Sequence, residues 1–276
     1  MKLFPVVSTA LLKIPVTSVF CIALFGLVGC ATPYIDRTYN AVSQDSRVQF
    51  LILHYTVEDF PTSLKLLTDG QASSHYLVND NPPTIYQLVD ENRRAYHAGI
   101  SYWKGATQLN ASSIGIEIVN RGYNDTPNGR VWYDFPQPQI DAVIALVRKI
   151  VKDHQIKPER ILGHSDIAPG RKVDPGPRFP WKQLADAGLI PWPDANMVAE
   201  KMAVFEQQLP DVLWFQQKLG VHGFAVPLNG ELDKRTQDTV SAFQMKYRQT
   251  RFDGIPDAET AALLDVLTMP PDVKAK

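Results

Sequence analysis

The sequence predicts an α/β protein, a mixed central sheet flanked by helices, with a small three-helix domain at its C-terminal end. Three observations carry this. "VQFLILHY" (48–55) is a nearly unbroken apolar run, as a strand buried on both faces requires. "PQPQIDAVIALVRKIVKDH" (136–154) instead places Ile140, Val143, Ile144, Val147 and Val151 on one helical stripe, behind prolines that suit a helix start. "GELDKRT" (230–236) and "GIPDAET" (254–260) repeat Gly-x-x-Asp-x-x-Thr, a tight turn and then an N-capping aspartate.

The chain begins with a leader. Lys2 and Lys13 give a positively charged start, and an apolar run follows, "IPVTSVFCIALFGLVG" (14–29), a secretory signal pattern. "LVGC" (27–30) resembles the lipobox of bacterial lipoproteins. That resemblance implies cleavage after residue 29 and a lipid on Cys30, which anchors the chain to a membrane. Ala31, where an aspartate is absent, implies the outer membrane, with the protein facing the periplasm. Cys21 falls inside the leader, so the mature chain keeps one cysteine and forms no disulfide. Packing or a metal must then supply the stability. Loss of Lys2 and Lys13 moves the net charge from −1 to −3, which offers nothing to a nucleic-acid partner. No second apolar run is long enough to span a bilayer.

The mature length has room for two domains. Residues 30–46 are polar and aperiodic and read as a tether. Residues 47–193 form the first domain. Its further strands are "HYLV" (75–78), "TIYQLV" (84–89), "IGIEIV" (114–119) and "RIL" (160–162), rich in β-branched residues and bounded by turn signals. "PWPDAN" (191–196) marks the joint, with a linker at 194–203. Residues 204–270 hold three helical stripes: Val212, Phe215 and Leu219; Thr236, Val240, Phe243 and Tyr247; Thr260, Leu263, Leu264 and Leu267. A monomer is expected.

The chemistry gathers in "GHSDIAPGRKVDPGPRFPW" (163–181), where His164 and Asp174 stand ten residues apart on a loop stiffened by glycine and proline. His164 follows the strand "RIL", and a second histidine, His54, ends "FLILH". Two histidines at strand ends and one carboxylate are a common ligand set for catalytic zinc. Three protein ligands leave a fourth position for water, whose pKa such a site lowers to about 7. No HExxH is present, which excludes the helical metalloprotease arrangement. Spacing alone leaves a structural role open for each of the six histidines.

"LILHYT", "SSHYLV", "RAYHAG", "SIGIEIVN" and "ILGHSDIAPGRKVDPGPRFPW" occur in that order. Together, over most of 48–181, they resemble the zinc-dependent N-acetylmuramoyl-L-alanine amidases of type 2, relatives of the peptidoglycan recognition proteins. The resemblance implies one Zn2+ per chain, held by His54, His164 and Asp174, with Glu117 and Lys172 assisting hydrolysis of the amide between N-acetylmuramic acid and L-alanine. In "IGIEIV" the residues flanking Glu117 on its own face are Gly115 and Val119, so its carboxylate is expected in a partly enclosed place. His75 and His97 are expected to contact substrate or orient a ligand. Trp103, with Tyr102, is a candidate for stacking on sugar or peptide; His154 and His222 read as structural. The last domain resembles the peptidoglycan-binding domain of cell-wall hydrolases. It is expected to hold the enzyme on its insoluble substrate and to be dispensable for cleaving small soluble muropeptides. A non-catalytic wall binder and a zinc endopeptidase are the competing readings.

Overall fold

The structure is a computed structural model that describes residues 32–270. The expected leader, with Cys21, and the expected lipidation site Cys30 therefore lie outside the described residues. Residues 32–44 carry no helix or strand, and the compact unit starts at Asp45. Among the described residues no helix is long and apolar enough to cross a membrane.

The compact unit opens with β1 (Phe50–Tyr55), α1 (Phe60–Asp69), β2 (Tyr76–Val78) and β3 (Ile85–Gln87). A short ribbon of β4 (Tyr102–Trp103) and β5 (Ala106–Thr107) precedes β6 (Ser113–Ile118). The hairpin β7 (Tyr123–Thr126) and β8 (Gly129–Trp132) leads into α2 (Gln137–His154). Then follow β9 (Ile161–Gly163), α3 (His164–Ile167) and α4 (Trp181–Asp186). The chain ends in α5 (Ala195–Gln207), α6 (Val212–His222), α7 (Lys234–Tyr247) and α8 (Ala258–Leu267).

The main sheet has the order β3-β2-β6-β1-β9, with β3 antiparallel and the other pairings parallel. It is mixed, as the sequence predicts. Its strand β1 is buried on both faces, and alternation sorts its side chains. Leu51 and Leu53 join Ile114, Ile116 and Ile118 in a core with α2. Phe50 and Ile52 join Leu162 in a second core with Phe215, Val240, Phe243 and Leu264 of the C-terminal helices. The helices after residue 204 thus cover one face of the sheet.

Two expectations shift. On α2 the fully buried line is Ile140, Val143, Val147 and Ile150, while Ile144 and Val151 are half-buried. At 100° per residue the line i, i+3, i+7, i+10 holds one direction, and the positions next to it turn toward the rim. Each buried aliphatic side chain there contributes about 1.5–3 kcal/mol. The segment 194–203 is helical: it makes up most of α5, whose N-cap Asp194 accepts from the amides of Asn196 and Met197, and α5 packs along α8.

The Gly-x-x-Asp-x-x-Thr repeat is real in three dimensions. Asp233 accepts from the amide of Thr236 at 2.8 Å, and Asp257 from that of Thr260 at 2.9 Å. The repeat also reaches back one helix. Gln216 bonds Gly230 N and Thr236 Oγ1, and Gln244 bonds Gly254 N and Thr260 Oγ1, so each buried glutamine staples the next turn.

Candidate metal centre

His54 is the fifth residue of β1, and its parallel partner on β6 is Glu117. On the other side of β1 runs β9, which passes directly into α3 at His164. The following loop turns back, and the amide of Ser165 donates to the carbonyl of Asp174 at 2.8 Å. That bond closes the ten-residue excursion and returns Asp174 to the start of the bend. Gly and Pro make the return tight: Gly170 adopts a positive φ, 76°, with the Asp238 carboxylate packed where a side chain would go.

Three atoms converge. His54 Nδ1 lies 3.0 Å from His164 Nδ1 and 3.0 Å from Asp174 Oδ2, and the latter two are 3.1 Å apart. All three residues are buried. The hydrogen bonds around them decide which ring nitrogens carry protons. His164 Nε2 lies 3.1 Å from the carbonyl oxygen of Ala98, which can only accept, so Nε2 carries the proton and Nδ1 presents a lone pair. Arg171 Nη2 steadies that carbonyl at 2.7 Å and the Ile100 carbonyl at 2.6 Å.

For His54 the same deduction runs through two further residues. Ser113 donates its hydroxyl proton to the Leu109 carbonyl at 2.6 Å. It must therefore accept from His97 Nε2, 3.2 Å away. His97 Nδ1 then accepts from His54 Nε2 at 3.0 Å, and His54 Nδ1 is left with a lone pair. Two lone pairs and a carboxylate facing one another at about 3 Å repel unless a cation lies among them. Tetrahedral zinc, with ligands at about 2.0–2.1 Å, would set its donors roughly 3.3 Å apart, close to the spacing found. The donor set fits a divalent metal.

Charge states agree. Burial, then repulsion from His164, lowers the His54 pKa to about 4, so the ring is neutral at neutral pH. Burial and the neighbouring imidazoles hold His97 well below its ordinary value. Burial pushes the Asp174 carboxyl upward, but positive charge gathered at the two imidazoles, His164 first, outweighs it and holds the carboxyl below its ordinary range. With both Nδ1 atoms presenting lone pairs, a metal ion takes the place of that charge. Glu117 behaves oppositely. Its Oε2 is shut from solvent without a hydrogen-bond partner. Burial first, and the Asp174 charge second, raise its pKa well above the usual carboxylate range, while Lys172 opposes the rise. Lys172 is exposed and lines, with Tyr55, Tyr96, Glu117, His164 and Asp174, a cleft of about 250 Å³.

The other sequence candidates separate. His97 lines this cleft and contacts His54, which places it to orient that ring. Gly115 makes its place, since a Cβ there would stand 2.5 Å from the His97 ring. His75 does not reach the cleft. It is wholly buried, accepts from Gly115 N at 3.1 Å and donates to the Arg93 carbonyl at 3.1 Å, so both ring nitrogens are spent on backbone. Trp103 is also corrected: it is 2 % exposed and packs edge-on to His222 and Phe224, so its ring cannot stack on a substrate. His154 bridges Ser46 and Glu91, and His222 sits among Trp103, Phe243 and Tyr247. Sequence reasoning missed Ser113, Arg171 and Asn110, whose Oδ1 accepts from the amides of His97 and Ala98. Asn110 and Arg171 act through backbone amides and carbonyls, and Ser113 through the His97 ring, and such contacts leave no motif.

Comparison with known proteins agrees with this geometry. Residues 44–177 match the N-acetylmuramoyl-L-alanine amidase family, and residues 208–264 match a putative peptidoglycan binding domain. The chain is 42% identical over 255 residues to the N-acetylmuramoyl-L-alanine amidase AmiD of Escherichia coli (strain K12), covering 90% of this chain and 92% of that one. The solved complex of that amidase with anhydro-N-acetylmuramic acid-L-Ala-D-γ-Glu-L-Lys superposes with a TM-score of 0.77, over 84% of this chain and 93% of the other. AMPDH3 from Pseudomonas aeruginosa, solved with an anhydromuramic pentapeptide, is 37% identical with a TM-score of 0.78, over 86% and 97% of the two chains. Sheet, metal-type triangle and overall likeness agree: the chain belongs to the N-acetylmuramoyl-L-alanine amidase family.

Proposed function

We propose that this protein is a zinc amidase that cleaves the bond between the lactyl carbonyl of N-acetylmuramic acid and L-alanine, in peptidoglycan and in soluble muropeptides. The carrying observation is the triangle of His54 Nδ1, His164 Nδ1 and Asp174 Oδ2, with Glu117 next to it on the same sheet face. Zinc held there supplies Lewis acidity toward water and the scissile carbonyl.

The chain's own groups do the rest. His54, His164 and Asp174 would hold the ion in a buried corner. Glu117, with its raised pKa, is matched to accept a proton from the attacking water and to return it to the departing alanine nitrogen. Lys172 places an ammonium at the cleft, where the tetrahedral oxyanion develops its charge. The C–N bond breaks, leaving a muramic carboxylate and a peptide with a free L-alanine amine.

The solved relatives hold anhydromuramyl peptides, which supports the same sugar form as a substrate here. The match at 208–264 supports retention on the wall by the C-terminal helices. We read residues 1–29 as a lipoprotein leader and Cys30 as the lipidated first residue, which puts the enzyme on the inner surface of the outer membrane, within reach of the wall.

Digestion of anhydromuramyl tripeptide and of sacculi, followed by mass spectrometry, tests the activity. Free peptides that begin at L-alanine are expected. Intact muropeptides would defeat the enzymatic reading, and a cut between amino acids would replace it with an endopeptidase. Radiolabelled palmitate in the full-length protein, lost in Cys30→Ser, tests the anchor.

A further inference from the structure

A buried ion pair joins the C-terminal helices to the bend that carries His164. Lys246, on α7, donates to Asp166 Oδ2 at 2.8 Å and to the carbonyl of Ile161 at 3.2 Å. Both partners are almost wholly buried, with side chains 5% and 2% exposed. Asp166 lies on α3, two residues past His164, and its Oδ2 also accepts from the amide of Gly163 at 2.8 Å. Ile161 and Gly163 are the first and last residues of β9. One ammonium therefore grips the strand before the bend and the helix after it, and His164 sits between.

Other contacts follow the same loop. Ile167 and Ala168 share a core with Val240 and Phe243 of α7. Asp238, also on α7, packs against Gly170. Gln249, just past α7, donates to the Phe179 carbonyl at 2.5 Å. Lys246 itself lies 4.3 Å from the Trp181 ring centre. The segment that supplies His164, Lys172 and Asp174 thus leans on α7 along much of its length.

We propose that Lys246 is a positioning residue for the metal ligand His164, acting through Asp166. The helices that match a wall-binding domain are then a supporting wall of the metal centre as well as a wall anchor. This differs from the expectation that the domain can be removed without harm to the cleavage of small fragments. The physical reason is direct. A strand-to-helix bend has few hydrogen bonds of its own, and Lys246 supplies two anchors to it from outside. Outer supports of metal-ligating histidines typically affect metal affinity by about 10- to 100-fold.

The inference rests on the metal reading of His54, His164 and Asp174, and the experiment separates the two. Full-length wild type, Lys246→Met and the double variant Asp166→Asn/Lys246→Met are titrated with Co2+ and, against a chelator, with Zn2+. The double variant leaves no unpaired buried charge, so it serves if Lys246→Met does not fold. The introduced asparagine still offers an oxygen to the Gly163 amide, but the tie to α7 is gone. Weaker metal binding by about tenfold and an altered Co2+ absorption spectrum are expected in the double variant. A double variant that melts earlier yet keeps wild-type affinity and spectrum would overturn the proposal, since the pair then serves stability alone. Wild type that takes up neither ion would instead defeat the metal reading.

Discussion

Glu117 stands opposite His54 in the parallel register of β6 and β1, so adjacent strands present a buried carboxyl and a metal-type ligand on one face of the sheet. His54 faces a carboxylate, Asp174, that stays ionised, whereas burial keeps Glu117 ready to take up a proton. Two carboxylates close together are pushed to opposite protonation tendencies by their surroundings, as acid–base sites require.

Glu117→Gln should keep the metal and lose the reaction. The glutamine side chain preserves volume but cannot carry a proton, so kcat should fall about 100- to 10,000-fold on soluble anhydromuramyl peptide. Elemental analysis should still find one zinc per chain.

Lys172→Met should lower kcat by about 100- to 1000-fold with little change in KM, because the ammonium serves charge that develops only in the transition state. A rise in KM at constant kcat would show that the lysine binds ground-state substrate instead.

His54→Ala and Asp174→Ala should each lose stoichiometric metal in elemental analysis. Each removes one corner of a three-atom site that has no spare donor among His, Cys, Asp and Glu in the described group.

Ser113→Ala removes the acceptor that holds His97 in its Nε2-protonated form. His97 can then rotate or change tautomer, and His54 Nδ1 is no longer committed to presenting a lone pair. Zinc affinity should fall about 10- to 100-fold while the melting temperature of the metal-free protein changes little. Chelator competition reads the first and calorimetry the second.

Stability of the metal-free protein should fall with acidity below pH 6.5. His54 has an ordinary pKa of 6.5 and a folded value of about 4. Between these the unfolded chain binds the proton and the folded chain does not, so stability is full above 6.5 and is lost as the pH falls toward 4. One such histidine accounts for roughly 3 kcal/mol across the window. His97 is shifted in the same direction and adds to the slope. Urea unfolding at a series of pH values should show the decline, and His54→Asn should reduce its slope.

Much of this was legible in the chain of letters. The run Phe50–Tyr55 announces a strand buried on both sides, because only such a strand is apolar at nearly every position. The repeated Gly-x-x-Asp-x-x-Thr announces two capped helices, because capping is local. His54, His164, Asp174, Glu117 and Lys172 stand out through an ordered set of motifs. The three ligands do meet, and all five residues border one cleft except His54, which lies just behind it. Tertiary structure alone decided three matters. It set the tautomer of His54, since that depends on Ser113 and the Leu109 carbonyl, both distant along the chain. It sent Trp103 and His75 into the interior, since a two-residue strand and the edge of a three-residue one are too short for a period that shows which way a ring faces. And it placed Lys246 against Asp166, 80 residues away. Sequence spacing encodes the period of a helix or strand; it carries no distance between elements until packing brings them together.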